Sequence, residues 1–456
     1  MKKYHSFAAF FLALALFLPL GASARAAETD ASFSVTAQAV ILVEAATGDV
    51  LYEYHADDRR HPASITKVMT GLLTVEAVER GELSMDTIVT LGDDLYTDIG
   101  VGGSTLGMSV GEKLTVRDLL NAALIPSANE ACNALATAIS GSIPAFVDRM
   151  NQRAAELGMT STHFVNPHGY HNDEHYTTAR DISRMCLEAM NHPEFRKIVS
   201  TGTYTIPATN LHPEERVLKD TNALMPNAAV QGYRYQYATG IKTGYTSQAG
   251  YCLASAAEKD HRTLIAVLLG GNPWYRDGTV VSDSYFTESR RLLEYGFNHF
   301  SYKNVLDASQ PVDTVPVSLS QQQDYVTVLP SDSITALLPN DLDPALFTQR
   351  VDLPEALRAP IEKGQVIGSI TVSYGDKTYG TVDLVAATGL ERSQMLYILD
   401  RVTWIFSFLW VKLLALVLIV AMSLLIARRM VFGPSRRRRG SKKKQVYSSS
   451  YRGRKR

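Results

Sequence analysis

Between Trp404 and Ala427 the chain runs for 24 residues with a single charge, Lys412. At about 1.5 Å per residue this makes roughly 36 Å of helix, enough to cross a hydrocarbon core of ~30 Å. We therefore expect a transmembrane helix over 402–427, entered through a linker at 391–401. Trp404 and Trp410 suit the membrane interface, and Lys412 can snorkel outward. Arg428, Arg429, the run Arg436–Arg439 and Lys442–Lys444 then place residues 428–456 in the cytoplasm by the positive-inside rule. A helix lying along the surface is the alternative, but 413–427 has no polar face. The basic tail locks this topology or touches anionic lipid.

The other end carries a second membrane signal. Lys2 and Lys3 precede an apolar core from Phe7 to Leu20, and Ala22-Ser23-Ala24 or Ala24-Arg25-Ala26 offers small residues for cleavage. Residues 1–27 thus read as a secretory signal, which makes the stretch between the two signals extracytoplasmic. Residues 428–456 hold thirteen Lys and Arg with no acid, and 1–27 hold three. Removing these sixteen positive charges from the net −1 leaves about −17 on residues 28–427, a poor surface for nucleic acid. Cys132, Cys186 and Cys252 sit among apolar residues. They are too few and too scattered for a disulfide framework or a cysteine zinc site.

Within the exported part, Ala39–Val43 and Val50–Glu53 read as a hairpin across Ala46-Thr47-Gly48-Asp49. A helix follows from Ser64, with Ile65, Val68, Met69, Leu72, Leu73, Val75 and Val78 on nearly every side, stopping at Gly81. Such a helix belongs inside a large core. Further helices are expected over Val116–Ser140 with a break at Ile125–Asn129, over Ile143–Leu157, over Thr178–Asn191 and over Ser282–Phe300. Three strands are expected at 237–246, 250–257 and 263–270, with Glu258-Lys259-Asp260 turning between the last two. From 301 to 390 short alternating runs separated by Pro, Asp and Gly describe a small all-β domain.

Chemistry concentrates in three clusters. Ser64 and Lys67 stand at i and i+3 on one helix face, where an amine can take the proton of a hydroxyl if burial or charge lowers its pKa. Ser127-Ala128-Asn129 and Lys242-Thr243-Gly244 follow. Taken singly, the second is a helix cap and the third an exposed strand end. In this order, inside an exported chain, the three resemble the S-x-x-K, S-x-N and K-T-G motifs of the penicillin-binding proteins and serine β-lactamases. Thr239-Gly240-Ile241-Lys242-Thr243-Gly244-Tyr245-Thr246, Pro62-Ala63-Ser64, Leu157-Gly158-Met159 and the loop Asn166-Pro167-His168-Gly169 with His175-Tyr176 narrow the resemblance. They are similar to the low-molecular-mass D-alanyl-D-alanine carboxypeptidases, and Ala359–Gly364 to that family's second domain.

The resemblance implies an α/β catalytic domain over 28–300, an antiparallel sheet with helices around it, followed by the small β-rich domain over 301–390. It implies Ser64 as nucleophile, Lys67 as general base helped toward neutrality by Lys242, and Ser127 as proton relay. Asn129, Lys242, Thr243 and Gly244 would bind substrate, and the backbone N–H groups of Ser64 and Tyr245 would form an oxyanion hole. Peptidoglycan stem peptides are the implied substrate, β-lactams the implied covalent inhibitors, and no cofactor is required. A β-lactamase with Glu174 activating water, a D,D-endopeptidase and a non-catalytic β-lactam sensor are the competing readings. His163, His168, His171 and His175 with Asp173 and Glu174 invite a zinc reading. They lack the two-histidine helix pattern and a cysteine partner, so no metal is expected.

Overall fold

The computed structural model describes residues 33–228, 232–273, 275–276, 279–280 and 284–432. The expected signal segment and most of the expected basic tail lie outside the described residues. Two compact units emerge. The first runs to Lys303 and takes in Thr335–Leu346; the second holds Asn304–Ile334 and continues from Phe347. The returning segment lies within the stretch 301–390 expected to be β-rich. Asn340 donates to the carbonyl of His299 (2.8 Å), and Lys303 Nζ donates to that of Asn340 (2.8 Å), which fastens the segment to the first unit.

The first unit is built on strands β1 (Ala39–Glu44), β2 (Val50–Tyr54), β3 (Ile88–Thr90), β4 (Lys113–Thr115), β5 (Thr203–Ile206), β6 (Arg216–Lys219), β7 (Ala238–Thr246), β8 (Gly250–Lys259) and β9 (Arg262–Gly271). Its helices are α1 (Lys67–Glu79), α2 (Val116–Leu124), α3 (Asn129–Ser140), α4 (Ile143–Glu156), α5 (Ala179–Asn191), α6 (Pro193–Val199) and α7 (Tyr285–His299). Five strands form an antiparallel sheet in the order β2-β1-β9-β8-β7. β1 and β9 are buried on both faces, and their side chains divide by alternation. Ile41, Val43, Ile265, Val267 and Leu269 join the core around α1, whereas Val40, Leu42, Leu264, Ala266 and Leu268 join the core under α7.

α1 is sunk in the first of these cores, as its all-round apolarity requires. Its own Gly71 admits α6: a Cβ there would lie 2.8 Å from the ring of Phe195. The expected turn at 258–260 is shorter than read. Glu258 and Lys259 still pair with Thr263 and Arg262. Asp260 and His261, at φ 51° and 60°, close a two-residue hairpin of the kind that follows strand twist. α6, β5 and β6 had no periodic signal, being short.

The second unit carries a six-stranded sheet in which Val315, Val326, Val328, Ile370, Val372 and Leu384 are buried. It ends in α8 (Gln394–Ser407) and α9 (Leu409–Phe432). The stretch 409–431 is long and apolar enough to cross a membrane. It overlaps the expected span of 402–427 but starts later. Phe408 is extended at ψ 130°, so the helix breaks there. Trp404 and most of the expected linker belong to α8, and Lys412 falls in the first turn of α9. Apolar residues lie on both sides of the break, which hides it from hydropathy.

Candidate active site

Ser64 stands in a single 3₁₀ turn, Ala63–Thr66, and Lys67 opens α1 directly behind it. The spacing brings Lys67 Nζ 2.9 Å from Ser64 Oγ, as the motif required. The same amine meets Asn129 Oδ1 at 2.6 Å and the carbonyl oxygen of His168 at 2.7 Å. Lys67 is fully buried, and no carboxylate lies within ion-pair distance among the described residues. Burial lowers its pKa to about 8 against a weaker opposing pull from Cys132 and Glu130. Burial lowers the pKa of Lys242 as well, and repulsion between the two ammonium groups adds to that lowering.

Valence sorts the three contacts of Lys67. A neutral amine has two N–H bonds and one lone pair. Asn129 Oδ1 and the His168 carbonyl can only accept, so they consume both hydrogens. The lone pair is then left for the Ser64 hydroxyl.

Ser127 lies in the break between α2 and α3 with φ 73°, a left-handed conformation costly for a side-chain-bearing residue. It is held there from both sides. Ala128 N donates to the Ala122 carbonyl at 2.9 Å, and Asn129 N donates to the Ser104 carbonyl at 2.8 Å. The Ser127 side chain bonds to neither lysine among the described residues. Glu130, next on α3, is buried and accepts from Leu106 N, which ties the 104–108 loop over the motif.

β7 is an edge strand, and its Lys242-Thr243-Gly244 segment runs past Ser64. A Cβ on Gly244 would lie 3.0 Å from Ser64 N and 3.1 Å from the Pro62 carbonyl oxygen, so glycine lets the strand come this close without crowding. Tyr245 is 57% exposed, its ring 4.5 Å from that of Tyr251. Lys242 is buried, and its Nζ reaches the Thr243 carbonyl at 3.2 Å. Behind the strand sits a support that sequence reasoning missed. Thr221 Oγ1 meets Thr243 Oγ1 at 2.6 Å, and Asn222 Nδ2 donates to the Gly240 carbonyl at 3.1 Å. Asp220 is close enough to oppose the lowering of Lys242, while burial raises its own pKa. The only sequence signal was the turn chemistry of Asp220-Thr221-Asn222.

The histidine loop divides. His168 and His175 turn inward and stay neutral, each pushed down to about 3, chiefly by burial. Thr66 Oγ1 donates to the Ala63 carbonyl at 2.8 Å, so His175 Nε2 must donate to it at 2.9 Å, leaving Nδ1 to accept from Val165 N. Gly169, at φ 81°, lies against the Ala63 carbonyl. Glu174 is exposed and is anchored by its backbone, its N donating to Asn172 Oδ1 and its carbonyl oxygen 2.8 Å from His163 Nδ1.

Residues 24–272, more than half the chain, match the D-alanyl-D-alanine carboxypeptidase peptidase family. The chain belongs to that family. It is a serine-type D-alanyl-D-alanine carboxypeptidase and a low-molecular-mass penicillin-binding protein, as the motifs implied. The match continues over 300–392 with the C-terminal domain of penicillin-binding protein 5. Among curated relatives, D-alanyl-D-alanine carboxypeptidase DacF of Bacillus subtilis is 29% identical, covering 88% of this chain and 98% of its own. DacA of Haemophilus influenzae is 30% identical over 81% and 90%. Among solved structures, penicillin-binding protein 5 from H. influenzae superposes with a TM-score of 0.58 at 27% identity, covering 79% of this chain and 99% of its own. The carboxypeptidase DacD from Francisella tularensis gives 0.59 at 27% identity over 80% and 95%. The carboxypeptidase thus shares its catalytic fold with these proteins and its β domain with penicillin-binding protein 5.

Proposed function

We propose that this carboxypeptidase removes the terminal D-alanine from peptidoglycan stem pentapeptides through an ester on Ser64. The observation that carries the assignment of roles is the buried Lys67 amine, 2.9 Å from Ser64 Oγ with its other two contacts restricted to acceptors. Neutral Lys67 takes the hydroxyl proton as Ser64 Oγ bonds to the carbonyl carbon between the two D-alanines. The N–H groups of Ser64 and Tyr245 receive the developing oxyanion. Ser127 relays a proton to the leaving amine as the C–N bond breaks and D-alanine departs. Lys242 and Thr243 hold the terminal carboxylate, and Gly244 lets the substrate backbone lie along β7. Asn129 contacts the substrate amide through its NH₂ group, its oxygen being engaged by Lys67. Water, deprotonated by Lys67, then hydrolyses the ester. β-Lactams acylate Ser64 by the same first step.

In the same reading α9 anchors the enzyme in the membrane, with the catalytic unit outside and the basic tail in the cytoplasm. α8 presents Met395, Ile398, Leu399, Val402 and Ile405 as an exposed apolar stripe suited to the outer interface. The test is incubation of the full-length protein in detergent with a stem pentapeptide, followed by mass analysis. Loss of one alanine, abolished by Ser64→Ala, is expected. Penicillin labelling of Ser64 without peptide turnover would refute the peptidase reading and favour a sensor.

A further inference from the structure

The zinc reading of the loop lacked one residue that only the fold supplies. His61, three positions before Ser64, comes together with His171 and Asp173, and one ligand atom from each lies within 4.8 Å of the others. His61 Nδ1 is 2.9 Å from the His175 carbonyl oxygen. A carbonyl only accepts, so Nδ1 carries the proton and Nε2 keeps a free lone pair. That is how metal-ligating histidines are oriented by a backbone partner. The His171 ring stands edge-on to His61 at 4.8 Å, and its Nε2 is 3.2 Å from Asp173 Oδ1. Its Nδ1 is buried with no hydrogen-bond partner, so the protein alone does not satisfy this ring.

We infer that His61, His171 and Asp173 form a zinc site outside the catalytic centre. Two imidazoles and one carboxylate suit Zn²⁺ and disfavour Mg²⁺ and Ca²⁺, which take oxygen ligands. Closing on the metal needs only a modest contraction, and Asp173 is 93% exposed and able to move. Entry is open, because His171 lies on the wall of a cleft of about 410 Å³ shared with Asp98, Asn166 and Tyr170. A water completes the fourth position. Zinc would tie the segment carrying Ser64 to the loop whose His168 carbonyl and Gly169 meet Lys67 and Ala63. It stiffens that junction and takes no part in the chemical steps. A second group, Glu76, Glu188 and His192, is a weaker candidate. Arg153 already pairs with both of its glutamates, and His192 with Glu79.

The test uses untagged, metal-stripped full-length protein in detergent, titrated with ZnCl₂ by calorimetry and with CoCl₂ by visible absorption. One zinc per chain is expected, together with a tetrahedral cobalt band and a higher melting temperature with zinc but not with MgCl₂. His171→Asn and Asp173→Asn, both on the loop surface, should each weaken zinc at least about tenfold and alter the cobalt band. Unchanged penicillin acylation in zinc-free buffer confirms that these variants are folded. The inference is overturned by absence of saturable zinc binding, by binding that survives both variants unchanged, or by binding that is lost instead in His192→Gln.

Discussion

A Cβ on Gly169 would lie 1.9 Å from the carbonyl oxygen of Ala63, so loop and nucleophile turn meet with no room for a methyl group. Gly169 also has φ 81°, so Gly169→Ala suffers a clash and backbone strain together. We expect a loss of about 2–4 kcal/mol of stability and, because Ser64 must shift, a fall of roughly 100-fold in β-lactam acylation. Denaturant melts and acylation kinetics check this. Gly48→Ala is the control: its φ is 72° with nothing within 4 Å of the new methyl, so only the strain should register.

Lys67 works as a base only when neutral, and its pKa is about 8. Below that pH the neutral fraction rises tenfold per pH unit, which gives kcat/KM and β-lactam acylation an ascending limb, while loss of the proton from Lys242, itself lowered by burial, gives the descending one. Lys67→Arg keeps a charge but cannot release it. It should lower the acylation rate by about 10²–10⁴-fold across the whole range and abolish the ascending limb. A wild-type profile flat from pH 6 to 9 would remove Lys67 from this role.

The Ser64–Lys67 contact was legible because i, i+3 spacing on a helix is fixed by geometry. The β1 and β9 strands were legible because unbroken apolar runs report burial on both faces. The third partner of Lys67 was not, since a backbone carbonyl at His168 leaves no trace in residue type. Thr221 and Asn222 escaped for a related reason: they act on Thr243 and Gly240 across more than a dozen residues of chain, through ordinary turn chemistry. The start of the long apolar helix at 409 depends on one extended residue, Phe408, in a stretch that is apolar on both sides. His61 became informative only when the fold set it beside His171.

Asp220 opposes the lowering of Lys242, whose charge the proposed mechanism uses to hold the substrate carboxylate. Asp220→Asn removes that negative neighbour, so the Lys242 proton is released at lower pH. KM for the stem peptide should rise about 3–30-fold with kcat little changed, and the limb set by Lys242 should move to lower pH. Steady-state kinetics from pH 6 to 10 separate this from a structural defect, which would lower kcat as well and leave the limb in place.

His168 and His175 make the fold acid-sensitive. Both are buried, and both have pKa values of about 3, against 6.5 for an unhindered ring. Between those values the unfolded chain binds protons that the folded chain refuses, so stability is complete above pH 6.5 and declines as pH falls. Each ring contributes at most about 1.4 kcal/mol per pH unit. Glu130 and Asp220 act in the opposite sense, because burial raises their carboxyls and the folded state keeps protons that the unfolded state has shed. That opposition weakens toward neutral pH, which leaves the histidines dominant just below 6.5. His175→Gln retains a donor toward Thr66 but has no titrating ring. In guanidinium melts between pH 6.5 and 5 its stability should fall less steeply than that of the wild type. Equal slopes would show that His175 is not the group whose protonation opens the fold.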